Sequence, residues 1–332
     1  MSGYTTLDQA ICAVKSETSY GVDAFGASAP TSDDTLAFRS LTITPIYEVS
    51  EPDRVTATAS GECHTVYFSH NEVAWESPLI GSVDAGDLPI IDAILRAGNF
   101  KRVIDAGTSV TYTPSTANDQ SEVPSATFLM YQRSIEDNTG KRLMSRGSKT
   151  DLTFTFEQGS EAFLAGTALG LFDAVPATMS NLPTLPTTYN TDQCGWMINK
   201  MAVTVGNVSY PVSAFEVSSN FVTSPQGGGA EVGAGGIRKI VLTKGKSGNR
   251  IGGSLTLVDG SAALTDMITQ AYAASKASLT VVITKGARTC TFSMPAIQFG
   301  VYTDASPTYT VPFFAIRPAG TAGDNELVIT FT

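Results

Sequence analysis

The chain has 332 residues, 42% of them hydrophobic and 16% charged, which is enough apolar sequence to bury one large or two ordinary cores and excludes a disordered tail. Its formal net charge of −10 has the wrong sign for a protein that binds nucleic acid by neutralising phosphates. An acidic protein could still surround DNA without binding it tightly. The longest apolar stretches, such as Ala162–Phe172, are shorter than the roughly 18–20 residues that span a bilayer, so no membrane segment is predicted.

The composition favours a mainly β fold with a few short helices. The 30 Gly and 16 Pro, together with abundant Thr, Ser and Val, are typical of many short strands joined by tight turns. The first residues, MSGYTTLDQAICAVKSE, lack a basic start followed by an apolar core, so no secretory signal is predicted and we expect the chain to fold in a cytoplasm. The widely spaced cysteines are then expected to remain thiols: Cys12, Cys63, Cys194 and Cys290.

Residues 1–40 are predicted to form an N-terminal arm. Gly21, Gly26 and Pro30 interrupt this segment, and it shows little periodicity before the first clear strand pattern. Such a segment is expected to be ordered mainly by partners. We therefore expect that deletion of residues 1–38 leaves a folded subunit that assembles poorly.

Residues 41–172 are predicted to form a first β unit with one helix at Asp87–Gly98. Asp87 is the candidate N-cap of this helix and Gly98 its candidate stop. The clearest strand lies at Asp151–Glu157, where apolar and polar residues alternate. This alternation indicates one face in contact with solvent and one buried face, formed by Leu152, Phe154 and Phe156.

Residues 173–196 are predicted to be a linker between the two halves of the chain. Proline-rich runs are extended and semi-stiff, and this segment contains Pro176, Pro183 and Pro186.

Residues 197–332 are predicted to form the second β unit. It contains a predicted helix over Ser261–Ser275, where the apolar residues recur at helical spacing. The unit closes with a strand pattern, and a chain that ends in a strand usually ends inside a sheet.

The order strand, helix, strand, strand occurs in both units without side-chain identity, as expected for an old duplication of one folding unit. The helix and the strand that follows it are further apart in the first unit than in the second. The segment Asn99–Pro124 accounts for this difference and is therefore interpreted as an insertion in the first copy. A duplicated β unit without a recognisable chemical motif indicates an architectural protein rather than an enzyme.

No phosphate-binding motif is complete. Gly245–Ser247 reads GKS, but a phosphate loop needs an earlier glycine where Ile240 stands, so a hairpin turn is the better interpretation. The glycine-rich segment Gly227–Gly236 fails the G-x-G-x-x-G pattern because Arg238 occupies the last glycine position. We interpret that segment as a mobile loop or an interface contact.

The two histidines, His64 and His70, lie six residues apart with Glu62 and Glu72 nearby, so a metal site is conceivable. On one strand this spacing only places both side chains on the same face, and exposed polar positions are the better interpretation. No serine, cysteine or threonine nucleophile has a recognisable base. The sequence therefore nominates no catalytic, cofactor-binding or metal-binding residue, and neither an enzyme activity nor a cofactor is predicted.

Ordered segments along almost the whole chain carry a family resemblance. In the first half they are ETSYGVDA (Glu17–Ala24), SLTITPI (Ser40–Ile46), WESPLIGSVDAGDLPIIDAILRAG (Trp75–Gly98), VTYTPST (Val110–Thr116), SATFLMYQ (Ser125–Gln132) and RLMSRGSKTDLTFTFEQGSEAFLAGTALGLF (Arg142–Phe172). In the second half they are KSGNRIGGSLTLVD, SMPAIQFGVY and GDNELVITFT. Together they resemble the tail tube proteins (major tail proteins) of long-tailed bacteriophages, which have a stronger glycine-rich turn where this chain has LMSRGSKTDL.

The resemblance implies a structural virion protein without catalytic residues. It implies β-sandwich-like units whose inner sheets join between subunits into a continuous barrel, in rings that stack into a hollow tube for genome ejection. Double-stranded DNA would pass through the lumen without specific binding, and no membrane is involved. Implied partners are further copies of the chain, a tape measure protein and tail terminator or tip proteins. The protein would belong to the virion tail after assembly in the bacterial host cytoplasm.

The number of chains per ring has two alternatives. If residues 41–172 and 197–332 are copies of one unit, three chains close a ring of six units, a trimeric pseudo-hexamer; if the chain is a single elaborated unit, the ring is a hexamer. In both cases, pairing of edge strands between neighbours removes the liability of open sheet edges. The excess of 31 acids over 21 bases favours a lumen surface with more acidic than basic residues, which repels DNA.

A host-receptor or carbohydrate-binding β-sandwich module of the virion is the alternative function. Such a module exposes an aromatic-lined site, whereas Trp75 and Trp196 are the only tryptophans and show no cluster in the sequence. A hydrolase on a β scaffold is a weaker alternative, because the candidate bases are few.

Overall fold

The computed structural model describes residues 10–26, 30–31, 33–50, 65–82, 84–116, 120–133, 140–172, 177–179, 195–198, 201–206, 208–227, 237–244, 251–257, 261–305, 308–318 and 324–332. These residues form 21 β strands and two α helices. Nineteen strands belong to one large sheet and two form a separate hairpin. The predicted mainly β fold with few helices is therefore confirmed.

The first half of the chain supplies β1 (Ala10–Ser16), β2 (Ser40–Ser50), β3 (Thr65–Pro78), α1 (Asp92–Ala97), β4 (Phe100–Asp105), β5 (Ser109–Pro114), β6 (Ala126–Arg133), β7 (Gly140–Thr150), β8 (Thr153–Glu157), β9 (Phe163–Phe172) and β10 (Ala177–Met179). The second half supplies β11 (Met201–Val205), β12 (Val208–Tyr210), β13 (Val212–Ser218), β14 (Phe221–Gly227), β15 (Ile237–Lys244), β16 (Gly252–Leu257), α2 (Ser261–Tyr272), β17 (Ala277–Lys285), β18 (Arg288–Phe299), β19 (Thr303–Ala305), β20 (Thr308–Ala315) and β21 (Val328–Phe331).

Helix α1 is shorter than the predicted segment Asp87–Gly98. The backbone N–H of Asp87 donates to Asp84 in a preceding turn, so Asp87 does not cap the helix, and the N-cap position is Ile91, which has no side-chain cap. The C-terminal end agrees with the prediction, because the N–H of Gly98 closes the last turn on Ile94.

Strand β8 has the alternation that the sequence predicts. Phe154 and Phe156 are buried, as is Leu152 just before the strand, while Thr155 and Glu157 are exposed. The prediction of one buried and one solvent-facing side is therefore confirmed here.

An uninterrupted path of antiparallel backbone pairing connects eight strands in the order β2–β3–β9–β8–β13–β16–β20–β19. We call these eight strands the joined sheet. Its first four strands come from the first half of the chain and its last four from the second half. The pair β8–β13 therefore connects the two halves through backbone hydrogen bonds.

Two further groups of paired strands cover the buried face of the joined sheet. They are β1–β6–β7–β10 and β11–β17–β18–β21–β5–β4. In the first group, the Phe128 ring of β6 lies 6.5 Å from that of Trp75. In the second, the Phe292 ring of β18 lies 5.1 Å from the rings of both Phe154 and Phe156. Because β18 and β8 are not paired with each other, these ring contacts show that β18 lies across the core from β8.

The two halves share one order of strand pairing. It reads β2–β3–β9–β7–β6–β1 in the first half and β13–β16–β20–β18–β17–β11 in the second. The hairpins β6–β7 and β17–β18 also have matching register shifts, between Ala126 and Phe128 in one and between Ala277 and Leu279 in the other.

One difference between the halves lies in the predicted insertion Asn99–Pro124. It contains the hairpin β4–β5, whereas residues 273–276 connect α2 directly to β17. Strand β5 pairs with β21, which also pairs with β18. The last strand of the chain therefore lies inside the sheet, as the sequence predicts.

The prediction that residues 1–40 form an arm ordered mainly by partners is wrong for the described part of that segment. Strand β1 pairs with β6 over its full length, and Cys12, Ala13 and Val14 are buried. The short apolar run Ala10–Val14 is the signal for this strand. Deletion of residues 1–38 would therefore remove part of the fold itself, and not only an assembly segment.

Two described parts of the predicted linker, residues 173–196, are hydrogen-bonded into the first half. Strand β10 pairs with β7. Trp196 is buried, its N–H donates to the carbonyl of Leu79, and its own carbonyl accepts from the N–H of Ala162. The prolines at 176, 183 and 186 lie outside the described residues.

Candidate functional site

The joined sheet has one face that packs into the core and one that faces solvent. Residues that are register partners across the strands point to the same side, so the pairing defines the solvent side, which we call the exposed face. Apart from four glutamates it carries two kinds of side chain. The small ones are Thr42, Thr44, Ala74, Ala165, Thr167, Thr153, Thr155, Ala214, Ser218, Ser254, Thr256, Thr310 and Thr303. The larger apolar ones are Phe163, Leu169, Pro312 and Phe314.

The charge on the exposed face is acidic. It carries Glu72, Glu76, Glu157 and Glu216, and none of the eight described strands contains Lys or Arg. Arg39, which precedes β2, forms a 3.1 Å ion pair with Glu76 at the margin of this face. The other three carboxylates are exposed, so the face presents a negative potential to any polyanion that approaches it.

The joint between the halves is a complete antiparallel pairing of five residues from each strand. It extends from Ala214 opposite Glu157 to Ser218 opposite Thr153, and the hydroxyls of Thr153 and Ser218 are 2.8 Å apart. Beyond the strands, Ser219 continues the joint, since its N–H donates to the carbonyl of Leu152 and its hydroxyl accepts from the Leu152 N–H. The joint thus satisfies the edges of both four-stranded halves.

The ends of the joined sheet differ from this joint. Among the described strands, β2 pairs with β3 alone and β19 pairs with β20 alone. Each is therefore an edge strand, and edge strands are templates for pairing with another chain. The site is therefore an acidic exposed face bounded by two edge strands.

A buried carboxylate holds the segment after β1 against the first half. Glu17 is 3% exposed, and its carboxylate accepts hydrogen bonds from the backbone N–H groups of Gly21 and Gly147 and from the hydroxyls of Ser125 and Thr127. Gly147 lies in a bulge of β7 with φ of +59°, where a Cβ would come within 2.9 Å of the Tyr20 ring. The glycine therefore allows its N–H to reach the carboxylate.

Lys149 lies near this carboxylate and is also buried, at 4% exposure. Its ammonium group donates to the carbonyl of Val123. Burial, reinforced by the positive charge of Lys239, lowers the pKa of Lys149 from 10.5 to about 7, while the negative charge of Glu17 acts in the opposite direction. The sequence did not single out Glu17 or Lys149, because their partners are remote in the chain: Thr127 is 110 residues and Gly147 is 130 residues from Glu17.

The motifs weighed in the sequence do not converge on a chemical site. His70 lies on β3 opposite Ile46 and Leu171, and Glu72 is exposed two residues further on. His64, Glu62, the GKS segment Gly245–Ser247 and nearly all of Gly227–Gly236 lie outside the described residues. Within the described ranges, no group of three or more His, Cys, Asp and Glu side chains could hold a metal ion.

The two described cysteines, Cys12 and Cys290, are buried free thiols, as expected. Burial raises the pKa of Cys12 to about 12 and also raises that of Cys290, so both remain protonated and unreactive. Cys63 and Cys194 lie outside the described residues. No helix in the described part of the chain is long and apolar enough to cross a membrane.

Comparison with known proteins finds no family model that matches the chain and no match among curated proteins.

We expect Glu17→Ala to destabilise the fold strongly. It leaves the buried N–H of Gly147 and the partly buried N–H of Gly21 without their acceptor, and hydrogen bonds to a charged group are worth about 1.5–3 kcal/mol each. The free energy of unfolding in urea should fall by about 3 kcal/mol or more. Glu157→Ala, at an exposed position, is the control and should change it by less than about 0.5 kcal/mol. Equal effects of the two substitutions would contradict the role of Glu17.

We expect Lys149→Met to change how stability depends on pH. Between about pH 7 and pH 10 the wild-type lysine is neutral when folded and protonated when unfolded, so the unfolded state binds more protons and stability rises with pH. Relative to the variant, the wild type should gain up to about 1.4 kcal/mol per pH unit in this range, and nothing further below it. Urea unfolding of both proteins across the range measures this difference, and parallel stability curves would show that Lys149 is not perturbed.

Proposed function

We propose that this protein is a tail tube subunit of a long-tailed bacteriophage. Three chains close a ring, and rings stack into a hollow conduit for genome ejection into the bacterial host. The single observation that carries the proposal is the joined sheet, in which two halves with the same pairing order are connected edge to edge. The sequence resemblance to tail tube proteins agrees with this architecture and supplies the remaining partners, which are the tape measure protein and the terminator or tip proteins.

The shared pairing order supports an internal duplication. Each half pairs six strands in the same order, and the matching register shifts in β6–β7 and β17–β18 fix which residues correspond. The correspondence continues at the next strand pair, which is β7–β9 in the first half and β18–β20 in the second. Thr150 is the register partner of Ala168, and Phe299 is the register partner of Phe313. Such agreement without side-chain identity is expected for two diverged copies of one unit.

The strand registers support a closed barrel. Ser40, Glu76, Ala165 and Thr153 are successive register partners that end opposite Ser218. The corresponding row of the second half is Ala214, Thr256, Thr310 and Thr303. Ser40 therefore corresponds to Ala214, whereas the first row ends opposite Ser218, so the register shifts by four residues (218 − 214 = 4) over four strands.

This shift gives the tilt that a barrel needs. With about 3.3 Å per residue and about 4.8 Å between strands, a shift of one residue per strand tilts the strands by about 35°, which lies within the range of closed barrels. Three chains would contribute 24 strands, and at this tilt the diameter between strand axes is about 45 Å. Such a barrel is wider than a DNA duplex.

The chemistry of the exposed face supports a conduit for DNA. If the joined sheets line the lumen with this face, the duplex meets hydroxyl groups, carboxylates and uncharged apolar side chains such as Phe314, but no basic residue from the eight strands. Phosphates are repelled and no counterions are released, so the DNA can slide. The alternative function, a receptor- or carbohydrate-binding module, receives no support from the tryptophans, because Trp75 and Trp196 are both buried.

The number of chains per ring tests the architecture. Because one chain supplies two units, we expect three chains per ring with an approximate sixfold inner wall. Native mass spectrometry of rings and electron microscopy of stacked rings in cross-section measure the stoichiometry. Six chains per ring would contradict the duplicated unit, and a protein that remains monomeric at high concentration would contradict the tube function.

The affinity of assembled protein for DNA tests the lumen. The wild-type assembly should bind linear duplex DNA more weakly than the roughly 10⁻⁴ M that marks weak non-specific binding at physiological salt. Glu72→Lys, Glu157→Lys and Glu216→Lys combined should tighten binding by at least about tenfold and introduce a steep salt dependence.

The matched control changes three exposed acids outside the joined sheet, Asp84→Lys, Asp87→Lys and Asp105→Lys, which alters the net charge by the same amount. Binding that increases equally in both triple variants would show that net charge alone governs affinity and would exclude the exposed face as the surface that DNA meets.

A further inference from the structure

Resting on the proposed function, we infer that the edge strand β19 of one chain pairs antiparallel with the edge strand β2 of the next copy, with Thr303 opposite Thr44. We call this contact the seam. It is the intermolecular counterpart of the β8–β13 joint inside each chain.

The residue correspondence between the halves sets the register of the seam. In the joint, Thr153 lies opposite Ser218. The counterpart of Thr153 is Thr303, since each pairs with the corresponding residue of the next strand, Ala165 or Thr310. The counterpart of Ser218 is Thr44, whose neighbour Glu72 corresponds to Gly252. Transfer of the joint to the edges therefore places Thr303 opposite Thr44 and Ala305 opposite Thr42.

The side chains at this register are compatible with pairing. Thr153 and Ser218 join through their hydroxyls at 2.8 Å, and Thr303 and Thr44 again offer two hydroxyls. Thr42 and Thr44 are exposed and carry no charge, so no like charges oppose each other across this part of the seam. Cross-strand threonine pairs of this kind are favourable in antiparallel sheets.

An exposed aromatic side chain beside the edge supports the same partner. Tyr47 lies three residues beyond Thr44, just after a register shift in β2, and Phe221 lies three residues beyond Ser218, at the start of β14. Both aromatic residues therefore come directly after the part of the strand that the two halves have in common. Phe221 is 7% exposed whereas Tyr47 is 59% exposed. The hairpin β14–β15, which begins at Phe221, packs on β7 and β9 of the first half. By the same relation, the distal part of the β2–β3 hairpin would pack on β18 and β20 of the next copy and bury Tyr47 there.

A second copy of this chain is the occupant that fits both edges at once. In each chain, β19 is the counterpart of β8 and β2 is the counterpart of β13, the two strands that pair in the joint. The two edges are therefore complementary, and copies can associate head to tail. Pairing between copies uses both edges and leaves none open when the ring closes.

Cysteine cross-linking tests the register. In a background with Cys63→Ser and Cys194→Ser, Thr44→Cys combined with Thr303→Cys should form intermolecular disulfides under mild oxidation, since directly opposed residues lie at a bridgeable distance of about 5.5 Å. Denaturing electrophoresis should show dimers and covalently closed trimers. Thr153→Cys with Ser218→Cys, the internal equivalent, should form an intramolecular disulfide and serves as the positive control.

The register control is Thr42→Cys with Thr303→Cys, whose residues would lie diagonally, about 7–8 Å apart, and should cross-link poorly. Ring formation is followed separately by electron microscopy. Absence of rings contradicts the proposed function and with it the seam. If rings form and only the Thr42→Cys/Thr303→Cys pair cross-links efficiently, the register is wrong. If rings form and neither this pair nor the Thr44→Cys/Thr303→Cys pair cross-links, the seam is wrong while the proposed function stands.

A second readout uses the aromatic pair. Tyr47→Asp should raise the protein concentration needed for ring formation by about tenfold or more and leave the melting temperature of dilute monomer unchanged. Phe221→Asp should lower the melting temperature of the monomer itself. If Tyr47→Asp lowers that melting temperature as Phe221→Asp does, or leaves assembly unaffected, Tyr47 does not belong to the seam.

Discussion

Backbone hydrogen bonding at strand edges is the constraint on which this structure depends. A sheet of four strands has two edges whose N–H and C=O groups need partners, and packing of side chains alone does not supply them. The β8–β13 joint satisfies one edge of each half within the chain. Among the described strands, the outer edges β2 and β19 each pair on one side only, and in the proposed assembly a neighbouring copy would satisfy the other side.

The buried polar groups near β1 serve a different need. Glu17 connects the segment after β1 to Thr127 on β6 and to the β7 bulge at Gly147. Its four donors replace the solvation that burial removes, which is why a charged group is tolerated there. Lys149 is less well compensated, since burial and a second positive charge lower its pKa. We expect the first group to contribute stability and the second to reduce it at neutral pH.

Local patterns in the sequence predicted the features that depend on local rules. The alternation around Phe154, the stop at Gly98, the final strand and the mainly β class follow from periodicity and turn residues. The pairing order could not be predicted, because hydrogen bonds between β8 and β13 carry no side-chain code. For the same reason the partners of Glu17 cannot be predicted. Strand β1 does have a local signal, the apolar run Ala10–Val14, but that run is short and is followed by a segment that Gly21, Gly26 and Pro30 interrupt. The acidic charge of the exposed face agrees with the negative net charge of the chain. Which residues lie on that face follows only from the register of the strands.

The β4–β5 hairpin has a consequence for symmetry. It occurs in one half only, and it pairs with β21 of the other half. When two copies of an ancestral unit are fused, each is free to acquire features that six identical subunits would have to accommodate six times. In a ring of three chains, the inner wall would repeat every 60° while this hairpin repeats every 120°. A protein that docks on the outside of such a ring would therefore find three equivalent positions instead of six.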